Sequence, residues 1–403
     1  MAEITLSINQ TTDQQLDVVR ELLKRFEQHS GQRVLLQVFD WGQAWDELSK
    51  IATYRRGPAI SEAGSTWVGA LAAMNALRPF SPAEIDSLGG AGAFLPEAWY
   101  SGRPEGSSQV YAVPWFCDVS VICYRRDLLE QAGVSEATAF ASLERLQQTL
   151  ERLQSSGVCP APWAEAHSHS FRPLHNIAAW VWGLHGDFIS RDGRSLLLSS
   201  PQARAGIKAY YSLHPYVPRL PGGLDDAAAD QRFLQGQAAV ILGDLGLQSD
   251  LHDGRAAPVV AANYGMAIPP GVPSMGGSDL VIWDFASPAE QQAALELVAW
   301  LSQPEVQIEL AQRTHLLPAR HAALDRMLAD EPYFTPMIQT LRSGRAFRQA
   351  PNWGLVEDRL HRALIAVWQE LCASPTPDLD RALSRHLDPL VRRLETTLSS
   401  QSH

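Results

Sequence analysis

Residues 4–38 have the sequence ITLSINQTTDQQLDVVRELLKRFEQHSGQRVLLQV, and this stretch indicates the fold class. It opens with a strand-like segment, 4–8, and closes with the apolar and β-branched segment 34–38. Between them, Thr12 begins a helix-capping pattern, and apolar residues then recur at helical spacing as far as Gly31. Two buried strands joined by a helix form a βαβ unit, because parallel strands need a crossover of that kind.

Helix and strand patterns continue to alternate along the chain, which is typical of an open sheet flanked by helices. Two extended stretches, 109–115 and 263–269, interrupt the alternation and are predicted to cross between lobes. The chain has 403 residues, and single cores stop growing at roughly 250–300 residues. The sequence therefore predicts an α/β protein with two lobes, each a mostly parallel sheet flanked by helices, joined by two or three hinge crossings. A cleft between lobes is a favoured place for a ligand.

The extended stretches also set the predicted lobe boundaries. Residues 1–113 and 266–314 are assigned to lobe 1, and residues 114–265 and 315–403 to lobe 2. The segment from residue 316 onward has a predominantly helical pattern, and no internal repeat is found.

The charge of the chain argues against one class of partner. Lys and Arg number 33 against 44 Asp and Glu, for a net charge of −11. Nucleic-acid binding depends on clustered basic residues, so nucleic acid is not an expected partner. No run approaches the roughly 18 apolar residues of a membrane span, and no charged and then apolar leader precedes the first strand.

The four cysteines lack the CxxC spacings of zinc and redox sites. They are Cys117, Cys123, Cys159 and Cys372. Free buried thiols are favoured, since a lone cysteine is usually a small core residue, and one disulfide is the alternative.

Common catalytic and nucleotide-binding motifs are missing from the sequence. No Lys follows a Gly, which excludes a P-loop, no His precedes a Glu, which excludes HExxH, and there is no GxSxG. Gly90 and Gly92 begin a GxG pattern, but Leu95 stands where the third glycine of a dinucleotide fingerprint belongs. We therefore expect no catalytic residue and no cofactor.

Three histidines, His167, His169 and His175, lie close together in the sequence. Two histidines two residues apart, without a matched carboxylate or cysteine, are common by chance, because a zinc site needs three or four protein ligands. No metal is expected here. A solvated loop, or one histidine in contact with a ligand, is the favoured interpretation.

Tryptophan is the unusual positive feature. The chain has 12, and five stand at strand ends or loop mouths: Trp41, Trp67, Trp115, Trp180 and Trp353. Flat apolar rings stack on the C–H faces of sugars, while Asp and Asn accept hydrogen bonds from the hydroxyl groups. For any one of these tryptophans, a position in the core is an equally good explanation.

Eight short motifs carry a resemblance to a known family. They are GP at 57–58, GSTWV at 64–68, YAVPWF at 111–116 with Asp118 after it, YRRDLL at 124–129, FLQGQAAV at 233–240, GGSD at 276–279, PEVQ at 304–307 and LPAR at 317–320. Together they resemble the extracellular solute-binding proteins of ABC importers, in the cluster that includes maltose-binding protein. The resemblance covers nearly the whole chain. It implies a two-lobed periplasmic-binding-protein fold, a monomer, a saccharide ligand and a membrane permease of an ABC transporter as partner.

The resemblance also implies twelve residues that line a ligand cleft. They are Asn9, Asp40, Trp41, Trp67, Trp115, Asp118, Trp180, Asp244, Gly277, Ser278, Asp279 and Trp353. Three tryptophans are implied to stack on sugar faces: Trp115, Trp180 and Trp353. Three carboxylates are implied to accept hydrogen bonds from hydroxyl groups: Asp118, Asp244 and Asp279. At Gly277 the missing side chain lets backbone N–H groups approach the ligand closely.

The chemistry of these residues favours some ligands over others. No arginine is among them, so a neutral sugar, an oligosaccharide or an aminosugar is preferred to a phosphate or an organic acid. Closure of the lobes around the ligand is the expected mechanism, with no chemical step. One alternative is a carbohydrate-active enzyme with Asp118 and Asp279 as its acid/base pair, and another is a sugar-sensing receptor domain.

Two departures from the family pattern stand out. Ala59 replaces the acidic residue that is common after Gly-Pro, and the lipid-modified cysteine found near the start of many relatives is absent. The location implied is nonetheless extracytoplasmic, in the periplasm or at the outer face of the cytoplasmic membrane.

Overall fold

The computed structural model describes residues 3–10, 12–168, 170, 172–220, 222–350 and 352–400. The chain divides into two compact units. The first contains residues 1–118, 275–342 and 346–354, and the second contains residues 119–274, 343–345 and 355–403.

Strands of the described residues belong to two sheets. In chain order they are β1 (Glu3–Gln10), β2 (Arg33–Asp40), β3 (Ile60–Gly64), β4 (Ala112–Val119), β5 (Val121–Arg125), β6 (Trp163–Ala164), β7 (Val240–Gly243), β8 (Tyr264–Ala267), β9 (Met275–Ile282) and β10 (Leu317–Pro318).

Helices account for most of the remaining described residues. In chain order they are α1 (Asp13–Ser30), α2 (Trp41–Tyr54), α3 (Val68–Ala73), α4 (Pro82–Ser87), α5 (Pro96–Ser101), α6 (Arg126–Gln131), α7 (Glu136–Ala139), α8 (Leu143–Ser155), α9 (Arg172–Gly183), α10 (Pro201–Tyr211), α11 (Asp226–Leu234), α12 (Leu245–His252), α13 (Pro258–Ala261), α14 (Pro288–Leu301), α15 (Pro304–Thr314), α16 (His321–Asp330), α17 (Thr335–Ser343), α18 (Trp353–Ala373), α19 (Leu379–His386) and α20 (Asp388–Ser400). Short 3-10 helices lie at Ala91–Ala93, His214–Tyr216 and Pro332–Phe334.

The predicted βαβ unit at the start of the chain is confirmed. The hydroxyl of Thr12 accepts a hydrogen bond from the backbone N–H of Gln15 at 3.1 Å, which caps α1. Gly31 ends the helix in the left-handed conformation, with φ of 73°. β1 and β2 pair in parallel along their whole length, and β1 also pairs in parallel with β3.

The sheets are mixed, which corrects the prediction that they are mostly parallel. In the first unit the order is β10-β4-β9-β3-β1-β2, and β9 runs antiparallel to β3, as β10 does to β4. In the second unit the order is β6-β7-β5-β8, and β5 is antiparallel to both of its neighbours. The apolar pattern of a buried strand is the same for either direction, so the sequence pattern does not distinguish them.

The observed units also differ from the predicted lobes. Residues 315–342, which the prediction placed in lobe 2, belong to the first unit. The reason is that the edge strand β10 forms hydrogen bonds with β4, where Leu317 pairs with Cys117. The chain leaves the first unit after residue 118 and returns to it at 275, several residues beyond each predicted boundary.

All four cysteines are free and buried, in agreement with the favoured prediction. Within the parts of the chain that the structure describes, no helix is both long enough and apolar enough to cross a membrane.

Gly277 provides a test of the first sheet. Its φ is +146°, and a Cβ atom there would overlap the carbonyl oxygen of Phe116 and lie 2.9 Å from the Cα of Cys117. We expect Gly277→Ala to lower the free energy of unfolding by about 2–4 kcal/mol, through overlap and an unfavourable φ together. Denaturant titration measures the loss.

Gly276→Ala is the matched control for this change. A Cβ atom at Gly276 meets no atom of the described residues within 4 Å, so the free energy of unfolding should change by less than about 1 kcal/mol. Equal stability of the two variants would contradict the close approach of β9 to β4.

Candidate functional site

A buried polar cluster lies in the first unit, towards the carboxyl ends of the parallel strands β1 and β3. The Glu62 side chain, 0% exposed, accepts a hydrogen bond from the backbone N–H of Asn9 at 2.7 Å and another from the hydroxyl of Ser278. Asn9 is also 0% exposed, and its side-chain amide has no hydrogen-bond partner among the described residues. A buried amide in this state usually binds water or a ligand.

Burial changes the charge of two carboxyl groups in this region. It raises the pKa of Glu62 to about 7, although the bonds from Ser278 and Asn9 act in the opposite direction. It also raises the pKa of Asp279 to about 7, against a hydrogen bond from the Ser101 hydroxyl at 2.8 Å. Without water the charged form is disfavoured. Near neutral pH each group therefore both donates and accepts hydrogen bonds.

The sequence prediction included Asn9, Ser278 and Asp279 but missed Glu62. A signal was present, because Glu62 is the one ionisable residue of the short strand β3, whose sequence is ISEAG. Such a residue in a buried strand needs hydrogen-bond partners.

Three tryptophans form an aromatic cluster in the first unit. The ring centroid of Trp67 lies 5.7 Å from that of Trp41 and 5.8 Å from that of Trp45. Each ring packs against the apolar core but stays partly exposed. The Asp40 carboxylate caps α2 by accepting the N–H of Gly42 at 2.8 Å. Partly exposed rings are suited to stacking on sugars, and a carboxylate such as that of Asp40 accepts hydrogen bonds from hydroxyl groups.

The other three predicted tryptophans are core residues in this structure, with at most 1% of each exposed. Trp115 lies 5.1 Å from Phe116, Trp180 meets the edge of Tyr210 at 5.1 Å, and Trp353 stacks on Phe347 at 5.0 Å between ring centroids. Their rings have no accessible face here, so sugar stacking by these residues stays a prediction. Asp118 is exposed on β4.

An ion-pair cluster lies in the second unit, around Arg172. Its guanidinium donates two hydrogen bonds of 2.7 Å to Asp230 and two more, of 3.0 and 2.7 Å, to Asp244. Asp226 lies 3.5 Å away, and burial raises its pKa. Burial also raises the pKa of Asp230 to about 6. Asp244, predicted to accept from ligand hydroxyl groups, is thus engaged by Arg172, a residue that the sequence prediction missed.

Another buried carboxyl group of the second unit, that of Glu165, lies near the Arg172 cluster. The Glu165 side chain is 1% exposed and accepts hydrogen bonds from Trp163 at 3.0 Å, Asn176 at 3.0 Å and Tyr210 at 2.8 Å. Burial raises its pKa to about 7. His167 bonds through Nδ1 to the Glu165 carbonyl oxygen at 2.8 Å, and its Nε2 has no partner among the described residues.

His169 lies outside the described residues. The missed residues of the second unit each have at least one partner that is distant in sequence, as Asp230 is from Arg172 and Tyr210 is from Glu165. No spacing rule brings Glu165 together with Tyr210.

Comparison with known proteins assigns the family. Residues 21–336, which are more than half of the chain, match the family of bacterial extracellular solute-binding proteins. The chain therefore belongs to this family.

Among its relatives is the sn-glycerol-3-phosphate-binding periplasmic protein UgpB of Brucella abortus, 23% identical over 350 residues that cover 81% of this chain and 78% of the relative. The UgpB of Yersinia enterocolitica is 22% identical over 421 aligned residues, which cover 94% of this chain and 90% of that relative.

Solved structures of similar fold include maltose-bound MalE3 of T. maritima, with a TM-score of 0.80 and 20% identity over 100% of both chains. The sugar-binding protein MalE of Xanthomonas citri has a TM-score of 0.81 and 20% identity, over 100% of this chain and 98% of that one. The predicted two-lobed periplasmic-binding-protein fold is confirmed by this similarity.

The buried Glu62 makes stability depend on pH. Its folded pKa, about 7, lies above the ordinary value of 4.5, so between these pH values the folded chain holds a proton that the unfolded chain releases. Stability is therefore lost as pH rises through this range, by up to about 1.4 kcal/mol per pH unit. Glu62→Gln removes this loss. Its free energy of unfolding relative to wild type should rise by roughly 2–3 kcal/mol between pH 5 and 7.5.

Urea titrations at the two pH values measure this difference. Glu290→Gln is the control, because hydrogen bonds from Ser287 lower the pKa of Glu290 and both states are then ionised throughout the range. A Glu62→Gln curve parallel to that of wild type would show that Glu62 titrates normally.

The Arg172 cluster predicts a large effect of losing the guanidinium. Its side chain is 12% exposed, and Arg172→Met leaves three carboxylates without a cation. We expect a loss of about 3–5 kcal/mol of unfolding free energy at pH 7. Arg362→Met is the control, since Arg362 is 79% exposed in its pair with Asp358, and its loss should stay below about 1 kcal/mol. Similar losses for both variants would argue against a buried ion-pair cluster.

Proposed function

We propose that this chain binds a saccharide outside the cytoplasm and delivers it to the membrane permease of an ABC transporter, without catalysing a reaction. The ligand is a neutral sugar, an oligosaccharide or an aminosugar. The observation that carries the proposal is the cluster of partly exposed rings formed by Trp41, Trp45 and Trp67. Asp40, an exposed carboxylate, directly precedes Trp41 in the chain. Aromatic faces bind sugar C–H groups, and carboxylates accept from the hydroxyl groups.

The relatives support a polyhydroxylated ligand. One structure of similar fold contains maltose, and the sequence relatives are named for sn-glycerol-3-phosphate. Maltose carries many hydroxyl groups and sn-glycerol 3-phosphate carries two, and the two ligands differ in charge.

The charges in this chain favour the neutral ligand. Among the described residues of the Glu62 cluster and the Arg172 cluster, Arg172 is the only arginine or lysine. Asp226, Asp230 and Asp244 surround it. A phosphate group would have to approach this guanidinium past those carboxylates. Phosphate recognition instead uses cations whose N–H groups are available to the ligand.

The burial of Asp279 supports binding over catalysis. The enzyme alternative needs Asp118 and Asp279 as an acid/base pair, but Asp279 is 2% exposed and its carboxyl group accepts from Ser101. A general acid or base has to come within hydrogen-bond reach of the substrate. The sensor alternative shares the ligand and differs only in its membrane partner.

The twelve residues implied by the family resemblance remain the proposed contacts. Four of them rank last because each is at most 2% exposed: Trp115, Trp180, Asp279 and Trp353. Two observations identify the strongest. Trp41 and Trp67 are partly exposed, and the Asn9 amide has no protein partner among the described residues. These three are the strongest candidates in the first unit. The protein is proposed to act as a monomer, with no nucleic acid as partner.

The test is a thermal-shift and calorimetric screen of the chain against neutral sugars, oligosaccharides and aminosugars, with sn-glycerol 3-phosphate as the anionic arm. A ligand that binds only the folded state raises the melting temperature. Trp41→Ala should weaken the best saccharide about 3- to 10-fold, which matches the ~0.5–1.5 kcal/mol of an aromatic contact.

Trp300→Ala is the control, because Trp300 is also partly exposed but stacks on His29 of α1, with 5.6 Å between ring centroids. Its saccharide affinity should be unchanged. Preference for sn-glycerol 3-phosphate, or turnover of a glycoside, would contradict the proposal.

A further inference from the structure

Three potential metal ligands meet in the second unit. His175 comes from α9, and Glu357 and His361 come from α18. One ligand atom from each lies within 4.8 Å of the other two. The imidazole centroids of His175 and His361 are 6.4 Å apart, with 57° between the ring planes.

The helix explains part of this arrangement. Glu357 and His361 are four residues apart on α18, so their side chains project from the same face, one turn apart. Both are buried, with 8% and 5% exposed, and His175 is the least buried of the three. The cluster is therefore held inside the unit, with His175 on the side nearest to solvent.

The ligand set has a clear chemical preference. Two imidazole nitrogens and one carboxylate oxygen suit zinc, whose four-coordinate sites accept three protein ligands and a water molecule. Tetrahedral bonds of about 2.0–2.1 Å to a zinc ion place the ligand atoms roughly 3.3 Å apart. The three atoms lie within 4.8 Å of one another here, so each pair has to approach by about 1.5 Å or less to bind the ion. Magnesium and calcium prefer oxygen ligands only, and the two histidines disfavour them.

We propose that His175, Glu357 and His361 bind one zinc ion, with a water molecule as its fourth ligand. None of the three belongs to the residues assigned to the saccharide, so the zinc site stands independently of the proposed function. Bound zinc would join α9 to α18 and stabilise the second unit.

The test uses the full chain, first freed of metal with a chelator. Titration calorimetry and metal analysis with zinc chloride should give one zinc ion per chain. At free zinc about 100-fold above Kd, the melting temperature of the full chain should rise by roughly 3 °C. Magnesium chloride should give no such rise.

Two variants test the ligands themselves. Glu357→Gln and His175→Asn should each weaken zinc binding at least about tenfold, since even the loss of an outer partner of a zinc ligand typically costs about 10–100-fold. Replacement of the metal by cobalt should give the visible absorption of a tetrahedral centre in the wild type and weaker absorption in both variants.

His321→Ala is the control, since His321 lies in α16 of the first unit, and it should bind zinc as the wild type does. Melting temperatures of the metal-free variants show that each is folded. Saccharide affinity should be the same in Glu357→Gln and wild type, which separates this test from that of the proposed function. Unchanged zinc affinity in both ligand variants, or no 1:1 binding by the wild type, would overturn the assignment.

Discussion

The parallel pairing of β1 with β2 on one side and β3 on the other is the constraint on which the first unit depends. It requires the crossover helix α1, and it aligns the carboxyl ends of two strands. That alignment brings the backbone of Asn9 within 2.7 Å of the Glu62 carboxyl group. β9 then adds antiparallel to β3 and supplies Ser278 to the same carboxyl group. The polar cluster is thus a direct consequence of strand order.

Removal of water from ionisable groups is the physical theme common to both units. Glu62 and Asp279 in the first unit, and Glu165 in the second, are carboxyl groups whose pKa burial raises to about 7. A buried carboxyl group is tolerated when neighbours donate to it, as Tyr210 and Asn176 do for Glu165. Such groups hold fixed hydrogen-bonding geometry, and this is what recognition of a polyhydroxylated solute requires.

Arg172 shows how charge and function are connected. The residues predicted from the sequence to line the cleft include no arginine, and their charges favour a neutral or cationic ligand. The structure contains an arginine beside Asp244, but three carboxylates neutralise it. The preference for a neutral ligand therefore has a different reason, which is that Arg172, the cation of this cluster among the described residues, is already paired.

The sequence by itself determined the local features, such as where helix α1 begins and ends. The capping pattern at Thr12, the periodic apolar face of α1 and the stop at Gly31 depend on residues a few positions apart, and short motifs were enough to indicate the family. The tertiary structure alone decided which strands run antiparallel, because an apolar strand pattern carries no direction.

Tertiary structure also decided which tryptophans are exposed and which are buried. Trp41 and Trp67 stay partly exposed, whereas Trp115 is completely buried, and nothing in the spacing of these residues distinguishes them. It decided the partners of Glu62 and Arg172 as well, which lie more than 50 residues away along the chain. Contacts over such distances depend on packing of whole elements, so they are fixed only when the chain is folded.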